Sequence, residues 1–174
     1  PTLREHRLVC SKRGTNMWPE WEQGGKGALT PRQLSVHRAG VAALDSSVDV
    51  LDYAAVSDAL EKQTPLWPPG TAHGYHARTF GFLLDELVRR IAKKKVGEYW
   101  RETFGETLSL DILICLPESD NARFATIYAS NADRAPEPAG FYPALTPPAP
   151  LTHKALPPTP VLHSAHPLVR TSSP

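Results

Sequence analysis

The sequence has little of several features that would assign a protein to a class at once. Two of its 174 residues are cysteine, Cys10 and Cys115, which is too few for a disulfide framework. No apolar run approaches the roughly 20 residues of a transmembrane helix, and the first residues do not form a signal peptide. The net charge of +1 leaves no global field that would attract nucleic acid. We therefore expect no nucleic-acid partner, no membrane span and, by default, a soluble cytoplasmic protein.

Proline is abundant, with 18 among 174 residues, about twice its average share. Prolines cluster in residues 135–174, where apolar residues follow neither a period of two nor one of 3.6. Such a segment buries too little apolar surface to offset its ordering entropy, so we predict a Pro-rich disordered tail. Its two P-x-x-P segments, residues 147–150 and 157–160, are candidate ligands of SH3- or WW-type partners, although neither has a basic residue at a fixed spacing.

Local signals predict a mostly helical fold over the middle of the chain. Thr30 followed by proline is an N-cap with proline at the first helical position, which predicts a short helix over residues 31–38 that Gly40 ends. Asp52 is the expected cap of a second helix, over residues 53–63. Both predictions come from the residue types at the helix ends.

The clearest helix signal follows these two. Apolar residues recur at i, i+3, i+4, i+7, i+8 and i+11, which forms a single stripe along a core helix, with Asp85, Arg89 and Arg90 on the opposite side. The stripe consists of Phe80, Leu83, Leu84, Leu87, Val88 and Ile91. A fourth helix is predicted over about residues 97–104.

One short strand is predicted after the helices. Residues 111–117, DILICLP, place apolar side chains on both faces, and a proline closes the run. Cys115 lies within it and is interpreted as a buried thiol. Ser119 or Asp120 is then the expected cap of a short helix towards Phe124. The fold class predicted from these elements is mostly α with a short strand.

A proline-glycine corner, Pro69, Gly70 and Thr71, stands just ahead of Tyr75 and of the predicted core helix. A rigid corner at the start of a helix holds a polar group in place, although an aromatic residue there also packs on the helix that it introduces. With HRAGVAALD upstream and LSLDILICLPE downstream, the corner resembles the serine β-lactamase-like family. This family includes class C β-lactamases, related esterases and penicillin-binding-protein-like carboxypeptidases.

The family signature P-G-T-x-x-x-Y-x-N ends in a tyrosine that serves a nucleophilic serine as general base. The resemblance therefore implies that Tyr75 is a general base, with Ala77 in place of the asparagine. It also implies that Pro69, Gly70 and Thr71 shape the turn or contact substrate. The implied reaction is hydrolysis of a small-molecule ester or amide through an acyl-enzyme, without a metal or another cofactor.

The resemblance runs from about residue 18 to about residue 124. It implies an irregular segment 1–17, a partial β-lactamase-related domain 18–134 and the tail 135–174, with the helical part of the α/β β-lactamase/transpeptidase-like fold. S-x-x-K, the motif of the nucleophile, occurs nowhere in the sequence, and no K-T-G strand follows. We therefore expect a serine-hydrolase fragment that is inactive as given and whose nucleophile helix lies before Pro1. The alternative is a non-catalytic interaction module that binds SH3- or WW-type partners through its tail.

Other short patterns have simpler interpretations. Residues 119–121 match the S-D-N of class A β-lactamases, but serine and aspartate are also typical helix caps. His73 and His76 are three residues apart, as are the two histidines of HSAH at residues 163–166, a spacing that metal ligands use. Neither pair has a nearby cysteine or carboxylate to complete the ligand set. His37 is interpreted as a hydrogen-bonding residue of the fold, and we prefer the structural interpretation in each case.

Overall fold

The computed structural model describes residues 13–123 and 125. Helices form the regular structure of this part of the chain, and no strand occurs in it. Its α-helices are α1 (Pro31–Ser35), α2 (Tyr53–Lys62), α3 (Thr79–Ala92) and α4 (Val96–Trp100). Turns of 3₁₀ helix lie at Gly14–Asn16, Pro19–Gly25 and Glu118–Arg123, and a π-helical turn at Arg101–Gly105 continues α4. None of the described helices is long and apolar enough to cross a membrane.

Two predicted segments lie mostly or wholly outside this part. The proposed tail, with both P-x-x-P segments and the HSAH histidines, is outside the described residues. Of the predicted irregular segment 1–17, the structure describes residues 13–17. There Gly14 is buried, and its N–H donates to the Leu29 carbonyl at 2.7 Å.

Helix α1 begins where the sequence predicts and ends earlier. The Thr30 hydroxyl accepts a hydrogen bond from the Gln33 N–H at 3.3 Å, and the Gln33 side-chain oxygen accepts one from the Thr30 N–H at 2.9 Å. This capping box fixes the first turn. The predicted extension to Arg38 is wrong, because His37 adopts a left-handed conformation, with φ 57°, that a right-handed helix does not continue through.

Helix α2 confirms the predicted cap. The Asp52 carboxylate accepts a hydrogen bond from the Ala55 N–H at 3.0 Å. The helix ends at Lys62, one residue before the predicted end. Its buried side chains pack against the Pro19–Gly25 turn and α3, and they are Val56, Ala59 and Leu60.

Helix α3 is the predicted core helix, but its buried residues are not confined to the predicted apolar stripe. Leu83 and Leu87 are buried as predicted, whereas the other stripe residues stay partly exposed. Asp85, predicted on the polar side, has no exposed surface. Its carboxylate accepts a hydrogen bond from the Val96 N–H at 2.7 Å and pairs with Arg89. The prediction for Asp85 is wrong because α4 packs over that side of α3.

The strand predicted at residues 111–117 is absent, and the segment is irregular. A strand needs a neighbouring strand to complete its ladder of hydrogen bonds, and the described part of the chain supplies none. The Ile112 carbonyl instead accepts from the Trp100 indole N–H at 3.1 Å. Cys115 has a positive φ of 67° and is half-buried, not buried as predicted.

The core lies between the N-terminal turns, α2 and α3. Trp18 and Trp21 stack at its centre, with ring centroids 4.6 Å apart. Ala39 and Val41, from the segment after α1, have no exposed surface. The core consists of Trp18, Trp21, Leu29, Leu34, Ala39, Val41, Val56, Leu60, Phe82, Leu83 and Leu87. The segment after α1 is therefore anchored in the core, and the loop of the candidate site packs against this segment.

Candidate functional site

The candidate site is built on the turn at Pro69, Gly70 and Thr71. The Thr71 N–H and hydroxyl both donate to the Pro68 carbonyl, at 3.1 and 2.7 Å. Gly70 has a positive φ of 86°, a conformation that glycine adopts without the steric cost of a Cβ atom. The predicted corner is therefore a closed turn that positions the residues after it.

This turn belongs to a loop, residues 65–76, that we call the Tyr75 loop. It rests on residues 37–41, which we call the floor segment. The Gly70 N–H donates to the Arg38 carbonyl at 2.9 Å, and the Arg38 guanidinium donates to the Gly70 carbonyl in return. Since Ala39 and Val41 of the floor segment belong to the core, these bonds hold the loop against the body of the molecule.

Two histidines extend the attachment. His76 has no exposed surface; its Nε2 accepts a hydrogen bond from the Val41 N–H at 3.2 Å, and its Nδ1 donates to the Gly74 carbonyl at 2.6 Å. His37 is half-buried, and its Nδ1 accepts from the His76 N–H at 3.3 Å. His37 thus makes the kind of hydrogen bond that its structural interpretation requires.

Burial favours the neutral form of both imidazole rings. Burial is the largest effect on the pKa of His76 and lowers it, and the nearby His37 and His73 lower it further. The hydrogen bond to the Gly74 carbonyl has the opposite effect and raises it. The pKa of His37 is likewise lowered by burial and by His73. Neutral rings are required here, because each ring uses a nitrogen lone pair as an acceptor.

Tyr75 lies between these anchored residues with its side chain facing outward. It is 68% exposed, and its ring meets the His37 ring edge-on, with centroids 5.2 Å apart. Its exposure contradicts the alternative that Tyr75 packs on the helix that follows. The Tyr75 hydroxyl makes no hydrogen bond to a described residue.

The other described tyrosines have buried or occupied hydroxyls. Tyr53 is half-buried and donates to Glu86 at 2.9 Å; burial and the nearby Asp85 and Glu86 carboxylates raise its pKa. Tyr99 is buried. Within the described residues, Tyr75 is therefore the tyrosine whose hydroxyl is accessible to a reacting group.

The S-D-N pattern lies elsewhere, in the 3₁₀ helix Glu118–Arg123. Ser119 and Asp120 lie inside that helix, so their predicted role as its cap is wrong. Asp120 pairs with Arg123 of the same helix at 3.7 Å, and Ser119 is exposed. The local ion pair accounts for the Asp120 side chain without a catalytic role.

His73 and His76 do not converge on a common point for a metal. His73 is exposed, whereas both ring nitrogens of His76 bond the backbone. Among residues 13–123 and 125, no group of three or more His, Cys, Asp or Glu side chains has the geometry to hold a metal ion.

Comparison with known proteins assigns the fold family. Residues 4–155 match the family model described as Beta-lactamase. The chain belongs to the beta-lactamase family. The match extends on both sides of the range over which the sequence motifs resemble the family, from residue 18 to residue 124.

Individual beta-lactamase-family relatives agree. The chain is 33% identical over 96 residues to the esterase/beta-lactamase LipL of Mycobacterium tuberculosis, which is 54% of this chain and 22% of LipL. A penicillin-binding protein homologue from Caulobacter crescentus matches with a TM-score of 0.69 and 35% identity, over 75% of this chain and 36% of that protein. EstA from Arthrobacter nitroguajacolicus Rue61a matches with a TM-score of 0.69 and 31% identity, over 82% of this chain and 40% of EstA.

These matches place the described helices in the β-lactamase/transpeptidase fold, as the resemblance implies. The chain spans less than half the length of each of these relatives.

The sequence predicts the corner and singles out Tyr75 as a candidate, but it does not indicate the hydrogen bonds of His76. The family signature leaves the position after the tyrosine unspecified, so no motif marks a histidine there. The partner of His76, Val41, lies 35 residues away along the chain. No local pattern could therefore have indicated this hydrogen bond.

Proposed function

We propose that this chain contributes the general base, Tyr75, to a serine hydrolase of the beta-lactamase family. The enzyme would hydrolyse a small-molecule ester or amide through an acyl-enzyme. The placement of Tyr75 carries the proposal: an exposed phenol on a loop that hydrogen bonds tie to the core, at the P-G-T-x-x-x-Y spacing of the family. The name of the relative LipL, an esterase/beta-lactamase, supports this class of substrate.

In the proposed reaction, Tyr75 Oη as phenolate accepts the proton of the serine hydroxyl while the serine oxygen bonds to the substrate carbonyl carbon. Backbone N–H groups hold the resulting oxyanion. Collapse of this intermediate breaks the bond to the alcohol or amine, which takes the proton from Tyr75. Water then attacks the acyl-enzyme by the same route and releases the acid and the serine.

A phenol has a reference pKa of about 10, so a base at neutral pH needs a nearby cation. In the family, the lysine of S-x-x-K stands next to the serine. The sequence contains no S-x-x-K, and we propose that the serine and lysine come from sequence outside these 174 residues. The chain as given is then inactive.

The corner residues have a shaping role in this proposal. The Thr71 hydroxyl is engaged by the Pro68 carbonyl at 2.7 Å, and Gly70 supplies the positive φ of the turn. Pro69 and Gly70 carry no reactive group. Ala77 replaces the asparagine of the signature and has no side-chain amide to orient a substrate amide, which favours an ester substrate.

A chimera tests the role of Tyr75. Residues 18–123 of this chain replace the matching segment of EstA, and hydrolysis of a short-chain nitrophenyl ester is measured. We expect Tyr75→Phe to lower kcat by about 10²- to 10⁴-fold, the usual contribution of a general base.

Tyr53→Phe is the matched control, since it removes a tyrosine hydroxyl outside the Tyr75 loop, the one that donates to Glu86. We expect kcat of this variant to stay within about twofold of the parent chimera. Equal activity of the Tyr75→Phe variant and the parent would contradict the proposed function.

A further inference from the structure

We propose that His37 and His76 are positioning residues for Tyr75: they clasp the Tyr75 loop to the floor segment only while both imidazole rings are neutral, so acidification releases the loop. The functional meaning of the clasp rests on the proposed role of Tyr75. The clasp itself consists of backbone hydrogen bonds and is measurable without turnover.

The clasp is reciprocal. His37 of the floor segment accepts at Nδ1 the N–H of His76, at 3.3 Å. His76 of the loop accepts at Nε2 the N–H of Val41, in the floor segment, at 3.2 Å. Each segment therefore gives a backbone N–H to the imidazole ring of the other, and opening of the clasp breaks both bonds.

These bonds enclose Tyr75 along the chain. Gly74, on one side, donates its N–H to the His37 carbonyl at 3.1 Å. His76, on the other side, donates its N–H to the His37 ring. Both neighbours of Tyr75 are thus hydrogen-bonded to His37, and the Tyr75 ring lies against the His37 ring.

Protonation removes both acceptors. The His76 Nδ1 faces the Gly74 carbonyl, which only accepts, so the hydrogen of the neutral ring lies on Nδ1 and Nε2 carries the lone pair. A second proton would lie on Nε2. The Nε2–H and the Val41 N–H would then both be donors, and the hydrogen bond between them would be lost. The same conflict arises when the His37 Nδ1 is protonated opposite the His76 N–H.

His37 also holds a strained backbone in the closed state. Its φ of 57° lies in the left-handed region, which costs free energy for a residue other than glycine and persists only when surrounding contacts enforce it. The clasp supplies these contacts. When the imidazole rings are protonated, release of the loop also relieves this strain.

The surroundings of the two rings set the sign of the pH dependence. The two rings face each other, and His73 and Tyr75 of the loop face the His37 ring. The guanidinium of Arg38, the residue after His37, donates to the Gly70 carbonyl. Burial, first of all, lowers the pKa of both His37 and His76. A histidine released from the clasp has a pKa of about 6.5. Just below this pH, the histidines of the open loop therefore bind more protons than those of the closed loop. The clasp is therefore closed above this pH and weakens as the pH falls below it.

Amide hydrogen exchange on the full chain of 174 residues tests the clasp. Protection of the Val41 and His76 amides, corrected for intrinsic exchange rates, is followed by NMR, with the Val56 amide of α2 as reference. We expect both to lose up to about a hundredfold protection per pH unit below about pH 6.5, because an opening that releases both imidazole rings takes up two protons and becomes up to about a hundredfold more favourable per unit. The protection of Val56 should not change.

Two substitutions keep each acceptor and remove its titration. His37→Asn places a side-chain oxygen near Nδ1 and tolerates the positive φ, and His76→Gln places one near Nε2. The double variant should retain its protection within about twofold over the same pH range. His73→Gln, at the exposed histidine, is the matched control and should keep the pH-dependent loss. If the double variant does not fold, His37→Asn alone should reduce the loss at both amides to at most about tenfold per pH unit, because opening then takes up one proton, at His76.

Three results would overturn the clasp. They are pH-independent protection in the wild type, a double variant that loses protection as the wild type does, and ¹⁵N signals that place the hydrogen of neutral His76 on Nε2. Each leaves the proposed function intact. An active Tyr75→Phe chimera would instead remove the proposed function and leave the clasp, so the two failures are distinguishable.

Discussion

Lys26 is a cation with no exposed surface, and backbone carbonyls satisfy it. Its Nζ donates to the carbonyls of Gln23, Glu61 and Gln63, at 2.8, 2.8 and 2.6 Å. Two of these carbonyls belong to the C-terminal end of α2, where a helix leaves carbonyls without partners and where its dipole favours a cation. Lys26 therefore caps α2 from the preceding turn.

Lys26→Met should lower the free energy of unfolding by about 3 kcal/mol, since a buried carbonyl left without a donor costs about 1–3 kcal/mol. Urea denaturation followed by circular dichroism measures the change. Lys62→Met is the matched control at the same helix end, because Lys62 is exposed and pairs with the exposed Asp58; it should cost less than about 0.5 kcal/mol. Equal losses in both variants would contradict the capping role of Lys26.

Helices α3 and α4 are joined by one buried carboxylate. Asp85 of α3 accepts a hydrogen bond from the Val96 N–H, in the first turn of α4, and pairs with Arg89 of its own helix. The first bond satisfies one of the amides that every helix start leaves open. The second partner balances the charge, so the carboxylate fixes the angle at which the chain turns from α3 into α4.

Asp85→Ala should lower the free energy of unfolding by about 2–3 kcal/mol, because it leaves the Val96 N–H without its acceptor, which costs about 1–3 kcal/mol, and removes the partner of the partly exposed Arg89. The Val96 amide should also lose its protection from hydrogen exchange, which reports the junction directly. Asp58→Ala, at an exposed aspartate of α2, is the control. If Asp85→Ala were as mild as this control, the carboxylate would not hold the junction.

At the scale of the whole molecule, the described part of the chain leaves a run of large apolar side chains exposed after α4. These are Phe104, Leu108, Leu110, Ile112, Leu113 and Ile114. Soluble monomers rarely expose contiguous apolar patches larger than a few hundred Å². Since the chain spans less than half of its relatives, we expect that further parts of the family fold cover this run in the longer proteins.

The chain by itself should therefore bind the dye ANS and self-associate. The double substitution Leu108→Lys and Ile112→Lys should reduce both without lowering the thermal midpoint, because these side chains are 61% and 53% exposed and add little to the core. Val36→Lys, at an exposed valine outside the run, is the control and should change neither. Sedimentation velocity provides the measurement, and a wild-type chain that is monomeric and does not bind ANS would contradict the prediction.

The chain as given should hydrolyse neither a chromogenic cephalosporin nor a short-chain nitrophenyl ester. The reason is the missing S-x-x-K, because without an attacking serine the covalent route is closed. Release of the chromophore is measured against a buffer blank. Turnover above the blank that a serine-directed fluorophosphonate abolishes would show that another residue serves as nucleophile.

Short-range signals were sufficient for the starts of α1 and α2 and for the corner of the site. The caps at Thr30 and Asp52 act on N–H groups three residues ahead, and the turn at Gly70 and Thr71 closes on Pro68. Such contacts depend on residue type and spacing alone, so they are visible in the sequence. The family motif around Tyr75 was visible for the same reason.

Contacts between distant parts of the chain determined the rest. The segment at residues 111–117 has strand-like composition, but a strand also requires a partner. Asp85 has the spacing of a surface residue, yet the first turn of α4 buries it. His37 and His76 engage each other and Val41 across 35 to 39 residues. Burial and pairing depend on what packs against a residue, so these features follow from the assembled fold and not from any local pattern.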